Sequence, residues 1–136
     1  MNWILLLAAL ISIEAPKTPE QAKQAEIKGF YGLLQITQAV VDDVNTYYDD
    51  EIAPLGTRIR VEDCRNEVVA RWVCVKYLRH WGNRYLAETG KEPTYEIMAR
   101  IWNGGPRGWE KKATIPYWER VKVEINKTPK KSWWLW

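Results

Sequence analysis

The sequence predicts a mainly α protein built as one domain. Three observations carry that prediction. Apolar residues recur at steps of three and four in separate stretches along the 136 residues. Those stretches are bracketed by residues that start and stop helices. No stretch alternates apolar and polar residues strongly enough to read as a half-buried strand, and no internal repeat is present. A chain of this length can bury a core without disulfides or metals.

The elements follow in order. Residues 3 to 14, "WILLLAALISIE", read as a helix that Pro16 stops; being apolar all round, it is expected to be surrounded by the rest of the fold. The segment "APKTPEQAKQAEIKG", 15 to 29, is polar, holds two prolines and closes on Gly29, so it reads as a loop with at most one helical turn near Gln21 to Ala25. "FYGLLQI", 30 to 36, is short, apolar and interrupted by Gly32. Thr37 can cap a helix from 38 to about 48, with Val40, Val41, Val44, Tyr47 and Tyr48 on one face. A connector broken by Pro54 and Gly56 leads to the longest predicted helix. It starts near Val61 and carries Val61, Cys64, Val68, Trp72, Val75 and Leu78 as a buried stripe. Gly82 is a candidate bend and Gly90 the stop. Thr94 starts the next helix, with Glu96 in its first turn and Ile97, Met98, Ile101 and Trp102 inward. "NGGPRG" ends it. A last helix runs from about Ile115 to Asn126, with Pro116 tolerated in its first turn.

Composition narrows the function classes. The net charge of +3 is a mild basic bias with both signs mixed along the chain, which suits an anionic surface but not a dedicated nucleic-acid binder. Nine Trp and seven Tyr stand against one Phe. Such rings can fill a core, or they can present flat faces that stack on sugars or bases. Cys64 and Cys74, placed on one helix, would lie about 15 Å apart, beyond the roughly 7 Å a disulfide allows, so both are read as reduced. Two cysteines and the one histidine, His80, make a poor zinc set. His80 reads as a surface or boundary residue. No metal and no cofactor is expected. The apolar start has the length of a signal-peptide core but lacks a basic lead and a cleavage site, and it is too short to span a bilayer. It is read as part of the mature fold.

Four features can carry chemistry. Glu14 ends an apolar helix; a carboxyl desolvated there has a raised pKa and can act as a general acid on a glycosidic oxygen, or it simply faces water at a helix end. In "GLLQI", Gly32 permits close backbone approach and Gln35 brings an amide; a buried turn explains both equally. In "RIWNGGPRGW", Asn103 opens a shaped loop that also serves as a helix cap. In "TIPYWERV", Tyr117 can pack inward and offer its hydroxyl to a polar partner.

Taken in order, "ISIE" ending at Glu14, "YGLLQI" from Tyr31 to Ile36, "ARIWNGGPRG" from Ala99 to Gly108 and "PYWERV" from Pro116 to Val121 resemble the lysozyme-like domain of SLT-type lytic transglycosylases and small phage lysozymes. "DDVN", Asp42 to Asn45, also looks like the stretch following the Gln motif in small members. The resemblance covers residues 3 to about 123. It implies a mostly helical lysozyme-like fold with a cleft for peptidoglycan glycan strands, Glu14 as the catalytic acid, and Tyr31, Gln35, Asn103 and Tyr117 binding substrate around it. It implies cleavage of the β-1,4 bond between N-acetylmuramic acid and N-acetylglucosamine, by a lytic transglycosylase or a muramidase. A hydrolytic mode would use a second carboxylate, for which Asp42 and Asp43 are candidates.

The chain departs from that pattern at Ala15-Pro16, where family members follow the glutamate with Ser. The departure keeps a second reading open: a non-catalytic glycan-binding module on the same fold. A third is a helical interaction protein whose Trp-rich tail docks a partner or membrane surface. The expected organisation is a catalytic domain over 1–126 and a basic, Trp-rich tail over 127–136. The expected setting is the bacterial cell wall, as a monomer acting on peptidoglycan without nucleic acid or a membrane span.

Overall fold

The computed structural model describes residues 1–52 and 57–127. The described chain is mainly α. The helices are α1 (Trp3–Glu14), α2 (Pro19–Ile27), α3 (Gln38–Tyr47), the single turn α4 (Asp49–Ile52), α5 (Glu67–Thr89), α6 (Tyr95–Gly104) and α7 (Ile115–Lys127). Tight 3-10 turns fill Val61–Arg65, Gly108–Glu110 and Lys112–Thr114. Extended pairing among the described residues is confined to a single bridge, Tyr31 with Ile36. The "WWLW" tail and the Pro54-Gly56 break lie outside the described residues.

Side-chain caps set most helix starts, as their sequences dictate. Asn2 accepts from the Leu5 N–H, Thr18 from Gln21, Asn66 from Val68 and Val69, and Thr94 from Ile97. Gly90, at φ 73°, closes α5 in the left-handed conformation that glycine adopts without strain. Helix α1 packs on α7, α7 on α6, α6 on α5 and α5 on α3. Leu6, Leu10, Leu34, Ile36, Val41, Leu78, Ile101 and Val121 are sealed between them.

The structure corrects four expectations. The stretch from Val61 is not one helix. Asn66 leaves helical conformation (ψ 127°) to cap α5, so Val61 and Cys64 sit on a separate turn. Both cysteines are free and buried, and they sit on two separate elements rather than on one helix. The buried stripe of α5 is also shifted: Ala70, Val73, Cys74, Tyr77, Leu78 and Tyr85 face inward, whereas Val68 is 76% exposed. The apolar content of α5 is spread too evenly around the helix to fix a face. Third, 15–29 is not a loop. Proline at the first helical position and the Thr18 cap outweigh its polarity and start the nine-residue α2. Fourth, α1 is not surrounded. Ile4, Ala8 and Ser12, spaced by four, form a solvent stripe, with Ile4 82% exposed. Gly82 lies within α5, which runs on to Thr89, against the Met98 side chain where α5 and α6 approach closely.

Candidate active site

Helix α1 ends at Glu14, and α7 packs against it. The Glu14 carboxyl is half-buried, and burial pushes its pKa above the ordinary glutamate value of 4.5. The C-terminal end of a helix disfavours negative charge for the same carboxyl. Tyr117 and Arg120, both on α7, work weakly the other way by favouring the carboxylate. Tyr117 is buried, and its hydroxyl approaches the Glu14 carboxyl without a well-aligned bond, leaving it without a hydrogen-bond partner. The same surroundings push the Tyr117 hydroxyl far above its ordinary pKa, chiefly through burial and then through Glu14 itself, so it stays a neutral neighbour.

A cavity of about 470 Å³ opens in front of Glu14. Gln35, Asp43 and Asn103 share its wall with Phe30, Thr37, Val40, Tyr77, Trp102 and Pro106. Each wall has a local cause. In the "YGLLQI" turn the Tyr31 and Ile36 backbones bond in both directions at 3.0 and 2.9 Å, and Ile36 and Leu34 plug the core. Gln35 takes a left-handed φ of 54° at the tip, and its side-chain amide donates to the Gly32 carbonyl at 2.9 Å. Gly32 permits the turn twice over. Its φ is 71°, and its Cα face abuts the Cys64 carbonyl so closely that no Cβ fits. On the opposite side α6 stops at Gly104, and Gly105, at φ 89°, turns "NGGP" across the cavity mouth. Gly108 packs against the Arg100 carbonyl, which fixes that loop on its own helix.

The structure thus brings together Glu14, Gln35 and Asn103, with Tyr117 behind the acid. Tyr31 does not line this cavity; its ring lies under the Arg65 guanidinium, 5.5 Å from centroid to Cζ. Of the two candidate second carboxylates, Asp43 lines the cavity and is held by the Trp81 indole N–H at 3.1 Å, while Asp42 faces solvent and accepts from Gln38 at 2.9 Å. Sequence reasoning missed Tyr77, Trp102, Phe30 and Thr37. Tyr77 was concealed by the wrong face assigned to α5. Trp102 was read as core but meets Tyr77 edge to face at 5.8 Å and lines the cavity.

The fold and this cavity define a helical domain that presents a desolvated carboxyl, flanked by amides and aromatic rings, to a ligand-sized space. Comparison with known proteins points the same way. The chain is 37% identical over 75 residues to a lysozyme of Magallana gigas, covering 55% of this chain and 50% of that protein. It is 41% identical over 59 residues to invertebrate-type lysozyme 6 of Caenorhabditis elegans (43% and 42% of the two chains). It is 32% identical over 84 residues to invertebrate-type lysozyme 3 of the same organism (56% and 58%). The chain spans about half the length of the curated relatives it matches. No family model matches it, and no solved structure does. The chain is therefore similar to lysozymes; none of these three relatives is named a lytic transglycosylase or a phage lysozyme.

Proposed function

We propose that this chain cleaves the β-1,4 bond between N-acetylmuramic acid and N-acetylglucosamine in peptidoglycan, with Glu14 as the general acid. The single observation that carries the reading is the raised pKa of Glu14 at the wall of a cavity large enough for a sugar ring. A carboxyl whose pKa is raised holds its proton to higher pH and can deliver it to a glycosidic oxygen. As the C–O bond lengthens, positive charge grows on the anomeric carbon. Asp43, fixed by Trp81 across the same cavity, is the carboxylate suited to face that charge and to take a proton from the attacking water. Gln35 and Asn103 offer amides to the sugar's acetamido and hydroxyl groups, and Trp102, packed on the buried Tyr77, offers an apolar face.

The hydrolytic mode is preferred over the transglycosylase mode on two grounds: a second carboxylate shares the cavity, and the relatives that the chain resembles are named lysozymes. In the transglycosylase mode the muramoyl 6-hydroxyl replaces water, Glu14 takes its proton, and no second carboxylate is needed. The setting that follows is the bacterial cell wall, with peptidoglycan strands as partner. Ala15-Pro16 favours the alternative of a glycan-binding module without catalysis, since a polar neighbour of the acid is absent there.

Digestion of purified sacculi followed by mass spectrometry separates these readings. Hydrolysis yields muropeptides with a reducing end. The transglycosylase mode yields anhydro products lighter by one water. Sacculi that bind the protein yet release nothing sink the enzymatic reading in favour of the binding module.

A further inference from the structure

We propose that Tyr47, backed by His80 and Trp81, is an outer platform that binds one further pyranose ring of the glycan beyond the Glu14 cavity. The inference rests on reading that cavity as a glycan site. It comes from the register of two helices. On α3, Val40 and Asp43 line the cavity, and Tyr47 follows Asp43 by four residues, on the same face one turn further along. On α5, Tyr77 lines the cavity and Trp81 follows it by four. Trp81 joins the two helices there, donating to Asp43 at 3.1 Å and meeting Tyr47 edge-on at 5.8 Å and 86°. One turn of helix rises about 5.4 Å, close to the length of a single sugar in a β-1,4 chain.

What the two helices present there is aromatic and open. Tyr47 is 50% exposed, so core packing does not account for it. His80 covers one side of its ring at 3.7 Å and 16°, which holds the ring in a fixed plane before any ligand arrives. Binding to a preset ring loses little side-chain entropy. A pyranose offers a flat C–H face to such a ring while its hydroxyls stay in water.

Calorimetric titration of Glu14→Gln, which leaves bound sugar intact, tests the platform with the β-1,4-linked hexamer and dimer of N-acetylglucosamine. Adding Tyr47→Ala is expected to weaken the hexamer about tenfold, equivalent to about 1.4 kcal/mol, and to leave the dimer's affinity unchanged. Tyr47→Phe keeps the ring and retains hexamer affinity. His80→Ala frees the ring without removing it and costs about threefold, as expected for one side chain ordered on binding. Circular dichroism verifies the fold of each variant. Undiminished hexamer binding in folded Tyr47→Ala overturns the platform while the cavity reading stands. A parent that binds neither oligomer removes both.

Discussion

Gly32 provides the sharpest test of how the turn carrying Gln35 is built, because Gly90 supplies an internal control. Both glycines have nearly the same positive φ, 71° and 73°. Around Gly90 a Cβ would meet nothing within 4 Å, whereas at Gly32 it would overlap the Cys64 carbonyl, far inside the 3.0 Å that real Cβ atoms keep. An alanine at either site bears the left-handed penalty of about 1–2 kcal/mol. At Gly32 it also forces backbone apart from backbone, which adds about 1–3 kcal/mol by analogy with overpacked cores. Gly32→Ala is therefore expected to cost about 2–5 kcal/mol and Gly90→Ala about 1–2. At roughly 3 °C per kcal/mol for a chain of this size, the melting temperature falls by about 6–15 °C and 3–6 °C respectively. Differential scanning calorimetry measures both. Gly32→Ala is also expected to lower turnover per folded molecule, since Gln35 hangs from the Gly32 carbonyl. Equal melting losses at the two sites would refute the close packing of the turn on Cys64.

Two further outcomes follow from single contacts and charges. Asn45 is buried, with its side chain donating to the Ile59 carbonyl at 2.8 Å and accepting from the Ile59 N–H at 2.9 Å. Asn45→Ala leaves two half-buried backbone groups without partners and is expected to cost about 2 kcal/mol in urea unfolding. Glu14→Gln is expected to change stability with pH. Because the folded-state pKa of Glu14 is raised above 4.5, its contribution to stability is whole below the unfolded value and is lost as pH rises through the folded one. The variant, which carries no charge, should melt above the wild type at neutral pH, with the gap closing near pH 4.

Much of the helical layout was legible in the sequence, and the errors have physical causes. Helices α1, α3, α6 and α7 were found nearly to the residue: Pro16 follows α1, Thr94 caps α6 and Gly105 closes it, and Pro116 sits in the first turn of α7, while Thr37 precedes α3 without a side-chain capping bond. Helix α2 was missed because its stability comes from its ends, Thr18 and Pro19, while its interior has no apolar face to detect; none of its residues is fully buried. The face of α5 was misread because Val, Trp and Tyr occur around its whole circumference, and only the packing of α3 and α6 on it selects Val73, Cys74 and Tyr77. That error concealed Tyr77 at the candidate site. Glu14, Gln35 and Asn103 were legible because each ends or interrupts an element, where side chains are free to face a cavity.

The central claim is that Glu14 donates the proton, and the pH dependence of initial rate on sacculi tests it most directly. A general acid must be protonated, so the rate should fall as pH rises through the Glu14 pKa, with that midpoint above the 4.5 of an ordinary glutamate. Glu14→Gln should fold, bind sacculi and lose at least about a hundredfold in rate across the profile. A folded Glu14→Gln that retains the wild-type rate and the same descending limb would contradict the assignment.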